Sequence, residues 1–332
     1  MDTHEAYLKL AGHPDPREYS EVLTVLNTIL ADEKSTIRLL TNNPYKALFL
    51  ERHGYTVAVE PLRAGASIHN TSYTEAKTQK FLHNTVGYGP YTSVTLSLAD
   101  IQEQGCEIAS FIKEVNPRVG SRKLFIGVSL PSDAELKEPK VLADLKRFYN
   151  GAISGFENTH FVLHMYYPAS RGAQRNLTRS LGRLTFPYSL QFRLPLDAPP
   201  GFRVDVNLLD SLHAEHVIFQ VKENHFYLFE RKSFIEYFSS PNKFILLDES
   251  FSTGKEEEEE AVRRKILSLV SRGLSRIAVA GGFSAETAPR IHQLEDYFKI
   301  PISVDAETKL RSNDRFDVER ARRYLMFFFP KR

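Results

Sequence analysis

Residues 244–248 read FILLD, residues 276–282 read RIAVAGG and residues 302–305 read ISVD. Each is a short apolar run ended by a turn or acidic residue, and a helix-forming stretch separates it from the next. Strands covered on both faces read as such continuous runs rather than as an alternation. Working back towards the N-terminus, the same pattern recurs at 124–130 (LFIGVSL), 160–167 (HFVLHMYY), 189–194 (SLQFRL) and 216–221 (HVIFQV). Residues 226–229 are an eighth candidate strand, although little chain follows Val221 to form an intervening helix. Seven or eight β/α units within residues 121–332 predict a small (β/α)₈ barrel, with an open doubly wound sheet as the alternative.

Upstream, residues 1–95 read as alternating helix and strand. EVLTVLNTILA (21–31) places Val22, Leu23, Val25, Leu26, Ile29 and Leu30 on a helical face. A short strand follows at 37–40. Pro44 suits the first position of a helix over 45–53, because its missing amide has no helical partner there. Gly54 ends that helix in a left-handed cap, and YTVAVE (55–60) is the next strand. Residues 72–84 predict one more amphipathic helix, and Gly87, Gly89 and Pro90 mark a break. The helical pattern at 98–115 lies in a connecting stretch, 96–120. The fold class is therefore α/β: a small α/β module at 1–95, then a (β/α)₈-type barrel at 121–332.

Composition narrows the function classes. Over 332 residues, Lys+Arg 43 against Asp+Glu 41 leaves a net charge of +2, which argues against a nucleic-acid or membrane-surface binder. The single cysteine, Cys106, excludes an internal disulfide and a multi-cysteine zinc site within one chain, and reads as a small core residue. The N-terminus carries no apolar signal core, and no run approaches the roughly 18 apolar residues of a membrane span. A cytoplasmic protein is expected, and a homodimer is compatible with the sequence.

The most specific string is Arg38-Leu-Leu-Thr-Asn-Asn-Pro-Tyr-Lys46, preceded by Asp15-Pro-Arg17 and followed by a segment running from Asn70 to His83. Together these resemble GTP cyclohydrolase II in order and approximate spacing. The resemblance implies that Asp15 is a proton acceptor, that Arg17 attacks the α-phosphorus, and that Thr41 and Lys46 contact the nucleotide. Read from the residues alone, a lysine one turn into a helix beside free amides makes a compact phosphate site. The alternative is a simple capping turn with Lys46 in solvent. The family's three zinc cysteines precede the D-x-R element, whereas only 14 residues precede Asp15 here. Zinc activates the ring-opening water, so cyclohydrolase activity is not expected, and no metal or other cofactor is demanded.

The second half resembles phosphoribosylanthranilate isomerase and related phosphate-binding barrels. The matching residues are Asp248, then Thr253-Gly254-Lys255, then Gly281-Gly282, then Asp305. The resemblance implies that Asp248 is a general acid at a strand end. Gly281 and Gly282 have no side chain to keep a phosphate from the backbone, although a plain tight turn also explains them. Gly254 and Lys255 complete the implied phosphate site, with glutamates 256–260 opposing it. The family's general-base cysteine is absent from the strand at 124–130. Asp305 is the substitute, or else a helix cap. His160 and His164, spaced i, i+4 on a strand, are not expected to converge on a metal.

The expected function is an enzyme acting on a phosphoribosyl or nucleotide-derived metabolite, an isomerase or lyase using Asp248 and Asp305. The ligand is then a phosphorylated small molecule or nucleotide. The alternative is a catalytically inactive nucleotide- or phosphate-binding protein built from degenerate enzyme domains.

Overall fold

The computed structural model of the chain describes residues 19–30, 36–60, 89–130, 132–168, 170–195, 202–248 and 258–330. Asp15, Arg17, the 72–84 helix, Gly254 and Lys255 lie outside them. Among the described residues, no helix is long and apolar enough to cross a membrane.

In chain order the N-terminal elements are α1 (Ser20–Ile29), β1 (Thr36–Leu40), α2 (Pro44–Arg52) and β2 (Thr56–Glu60). Strands β1 and β2 pair in parallel, from Thr36 opposite Thr56 to Leu40 opposite Glu60. Asn43 caps α2 through its side chain, Pro44 sits in the first turn, and Gly54 follows at φ +88°. Pro44 and Gly54 are therefore used as the sequence suggests.

The remainder is a closed parallel barrel of eight strands. They are β3 (Tyr91–Ser97), β4 (Lys123–Ser129), β5 (Thr159–Tyr166), β6 (Ser189–Arg193), β7 (Val217–Val221), β8 (Lys243–Leu247), β9 (Ile277–Val279) and β10 (Ser303–Ala306). Closure is made by β10 against β3, with Asp305 opposite Ser93. Helices α3 (Leu98–Val115), α4 (Pro139–Ala152), α5 (Arg171–Leu181), α6 (Val206–Ser211), α7 (Lys232–Phe238), α8 (Glu259–Val270), α9 (Pro289–Phe298) and α10 (Val318–Phe328) lie along the chain between and after the strands. Closure excludes the open sheet.

Two expectations are corrected. The eighth strand is not 226–229, which falls within a 3₁₀ segment, Glu223–Glu230. It is β3, from a stretch expected to end the α/β module and begin the connection, so the barrel begins at Tyr91 and α3 is its first outer helix. Strand β3 reads YTSVTLS, too polar to stand out as an apolar run. Its polarity has a use, since Thr95 hydrogen-bonds a buried carboxylate inside the barrel. Cys106, on α3, is exposed rather than in the core.

The main core lies between the strands and the surrounding helices. A second cluster, with Tyr91, Phe125, Val162, Ile218, Phe244, Leu246 and Ala278, plugs the barrel interior. Tyr91 and Phe125 stack there with ring centroids 4.4 Å apart. The α/β module docks through α2 onto α9. The Tyr45 hydroxyl donates to Asp296 Oδ1 at 2.7 Å, and Arg52 Nη2 donates to the same oxygen at 2.6 Å.

Candidate functional site at the barrel mouth

Alternation along each strand sends every second side chain into the barrel. On β8 this series runs Phe244, Leu246 and then Asp248, one residue past the strand. Asp248 is buried and accepts a hydrogen bond from Gln220 Nε2 of β7 at 2.7 Å. Asp305 lies within β10 and is no helix cap. Its Oδ1 accepts from Thr95 Oγ1 at 3.1 Å and its Oδ2 from Gln191 Nε2 at 3.2 Å.

Gly281 and Gly282 follow β9 with φ of +97° and +74°. Both values lie in the left-handed region that glycine enters without steric penalty. The Gly282 carbonyl accepts from Thr287 Oγ1 at 3.0 Å, which fixes the turn. Asp248, Asp305, Gly281 and Gly282 line one cleft at the C-terminal end of the strands, joined by Arg193, Glu307 and Lys309. The free volume enclosed is about 20 Å³, enough for a water among the carboxylates. Burial, reinforced by the charges of Asp305 and Asp248, pushes the Glu307 carboxyl above the ordinary glutamate range, against the pull of Arg193 and Arg311.

Beneath this cleft lies His164, also buried. Desolvation pulls its pKa down to about 4, despite the favourable charge of Asp305. Gly127 makes space for the ring. A Cβ at that position would stand 2.4 Å from His164 Nε2.

The module's loop behaves differently. Thr41 Oγ1 accepts from the Asn43 amide at 3.0 Å, and Asn43 Oδ1 accepts from the Tyr45 amide at 3.0 Å. The Lys46 amide donates to the Asn43 carbonyl at 3.2 Å. The capping turn thus uses the amides that the phosphate reading left free. Lys46 is half-buried, with Nζ 5.7 Å from the Tyr19 ring centroid. Lys299, just after α9, lies over the same ring at 5.8 Å. The end of α9 leads into the start of β10, so Thr41 and Lys46 sit at the opposite end of the barrel from Asp248. The structure brings together Asp248, Asp305, Gly281 and Gly282, and places Thr41 and Lys46 apart from them.

Sequence reasoning missed Arg193, Glu307, Gln191 and Gln220. The available signal was their spacing: Gln191 and Arg193 stand two apart on β6, and Glu307 stands two beyond Asp305, one residue past β10.

No protein-family model matches the chain. The chain resembles GTP cyclohydrolase-2 of Archaeoglobus fulgidus, 37% identical over 83 residues, covering 25% of this chain and 21% of that protein. The Pseudomonas aeruginosa protein of the same name is 39% identical over 83 residues, covering 25% and 39%. The chain therefore spans well under half the length of these curated relatives. Among solved structures, phosphoribosylanthranilate isomerase from Thermotoga maritima gives a TM-score of 0.46 at 14% identity, covering 71% of this chain and 98% of that one. The tryptophan synthase α-subunit of Pyrococcus furiosus gives 0.45 at 13%, covering 73% and 97%.

Proposed function

We propose that the chain is an enzyme acting on a phosphorylated ribosyl compound at the barrel mouth, by proton transfer in an isomerase- or lyase-type reaction. The observation that carries this reading is the convergence of Asp248, Asp305 and Glu307 on one cleft with the left-handed pair Gly281 and Gly282. Catalytic residues in this fold come from strand ends at this face, and backbone near its last two strands can admit a phosphate. Interconverting an aldose and a ketose moves a proton between neighbouring carbons, which needs one group to take it and return it. Asp248, which Gln220 aims, takes the carbon proton and returns it to the neighbouring carbon. Glu307, whose carboxyl keeps its proton to higher pH, lends that proton to the carbonyl oxygen and recovers one from the neighbouring hydroxyl. Asp305, held from two strands, adds to the burial that raises Glu307. The phosphate takes the Gly281–Gly282 turn and the Lys309 ammonium. With a single, exposed cysteine, the chain suits a reducing, cytoplasmic setting.

The second reading is an inactive phosphate- or nucleotide-binding protein. One observation favours it: the aspartates are hydrogen-bonded and enclose little space. A thermal-shift series with ribose 5-phosphate, ribose and GTP, followed by proton-exchange assays at the sugar carbons, separates the two. The enzyme reading requires stabilisation by the phosphorylated sugar and exchange into it. Stabilisation without exchange supports the binding protein, and neither effect rejects both.

A further inference from the structure

The far end of the barrel holds a second cluster that the proposed chemistry does not use. His160 is the second residue of β5, and Glu215 and His216 immediately precede β7. One donor atom from each of the three lies within 4.8 Å of the others. The imidazole centroids are 4.5 Å apart, packed against Phe125. His216 is 5% exposed. Its Nδ1 is in contact with Ser189 Oγ at 3.2 Å, which orients the ring. His160 Nδ1 meets Glu215 Oε2 at 3.1 Å, while its Nε2 is buried without a hydrogen-bond partner. A buried ring nitrogen lacking a partner is unfavourable unless something fills the position.

We propose that His160, His216 and Glu215 form a binding site for a divalent transition metal of the zinc type. Three protein ligands of this composition leave a fourth, tetrahedral position for water. Bonds of about 2.0–2.2 Å set such ligands roughly 3.3 Å apart. The Glu215 side chain, 41% exposed, can make the required movement and gives the ion a path from solvent.

The surroundings define which metal fits. Lys123, Lys243 and Arg276 act electrostatically on His216, and Lys243 is offset by Asp210 at 3.6 Å. This positive field excludes weakly held hard cations such as Mg²⁺ and Ca²⁺. It admits a metal whose bonds to imidazole outweigh the repulsion. The expectation that no metal is involved rested on cysteine count and on the His160–His164 pair. The actual partners meet only when β5, β6 and β7 lie side by side.

The test is titration of the chelator-treated full chain with Co²⁺, read by visible absorption, and with Zn²⁺ by calorimetry. One equivalent should bind with a dissociation constant below about 10 μM. His160→Gln and Glu215→Gln should each weaken binding by about tenfold or more. The partly exposed Glu215 keeps the test valid if the His160 variant fails to fold. Lys123→Gln should tighten binding, on the order of tenfold, by removing a repelling charge. No binding at millimolar metal, or unaltered, wild-type affinity in the His160 and Glu215 variants, would overturn the site.

Discussion

Gln220 Nε2 donates to Asp248 Oδ2 at 2.7 Å, from the strand next to the one that Asp248 follows. Gln220 itself is opposite Leu246 in the β7–β8 register, two residues short of the carboxylate it holds. Position at the mouth is therefore set by ladder geometry, independently of whether the group carries a charge.

Asp248→Asn separates these two properties. The amide oxygen of Asn can still accept from Gln220, so the urea midpoint should shift little. Proton transfer should fail, lowering turnover of a phosphorylated pentose by about 10²-fold or more while its binding survives. A destabilised variant with unchanged turnover would make Asp248 a structural carboxylate.

Gly127→Ala forces a methyl group to within 2.4 Å of His164 Nε2 and 2.9 Å of Thr95 Oγ1. The expected loss is about 1–3 kcal/mol, as for overpacking elsewhere in cores. Chemical denaturation of Gly127→Ala, His164→Ala and the double variant measures the coupling. Strictly additive effects would show that Gly127 does not serve the imidazole.

Acid should destabilise the protein through the buried His164 and the half-buried His292. His164 titrates near 4 and His292 near 3, both depressed chiefly by burial. The unfolded chain takes up protons at these residues near pH 6.5 while the folded chain does not, so stability is fully present above that pH. It declines as pH falls towards 4, and His164 alone accounts for about 3 kcal/mol. Glu307, raised by burial, acts in the opposite sense, losing stability as pH rises through its titration. Melting temperatures between pH 7 and pH 4 should fall less steeply in His164→Gln. An unchanged slope would mean that His164 takes up its proton as readily in the fold as in the unfolded chain.

Ion pairs should differ sharply in value. Glu295 is 1% exposed and pairs with buried Arg122 at 2.5 Å, and Arg122 also donates to the Ile302 carbonyl at 2.9 Å. Glu295→Ala leaves a guanidinium without its counter-charge and should cost about 3–5 kcal/mol. Arg38→Ala breaks an exposed pair with Glu60 and should cost less than about 1 kcal/mol. Equal losses in the two variants would contradict the burial argument.

Seven of the eight strands were legible because their apolar runs carry the parallel-barrel signature. The eighth was hidden because Ser93 and Thr95 make β3 look like a polar connection, and its register with Asp305 is a long-range fact. At the mouth, Asp248 and the two glycines were readable from strand ends and turn chemistry. Glu307 and Arg193 carried only the weaker signal of spacing, because a charged residue at or just past a strand end looks the same whether it faces the cleft or solvent. In the sequence the Thr41–Lys46 loop read as a phosphate site, with the capping turn only as the alternative. Its distance from the mouth was not legible, since only the docking of Tyr45 and Arg52 on Asp296 determines it.

The central claim is that the phosphorylated ligand binds at the C-terminal end of the barrel. Hydrogen–deuterium exchange with and without saturating ribose 5-phosphate tests this most directly. The account predicts slowed amide exchange at residues 280–284 and 306–310, with no change at 41–48. Protection confined to 41–48, or no protection at a concentration that stabilises the fold, would contradict it.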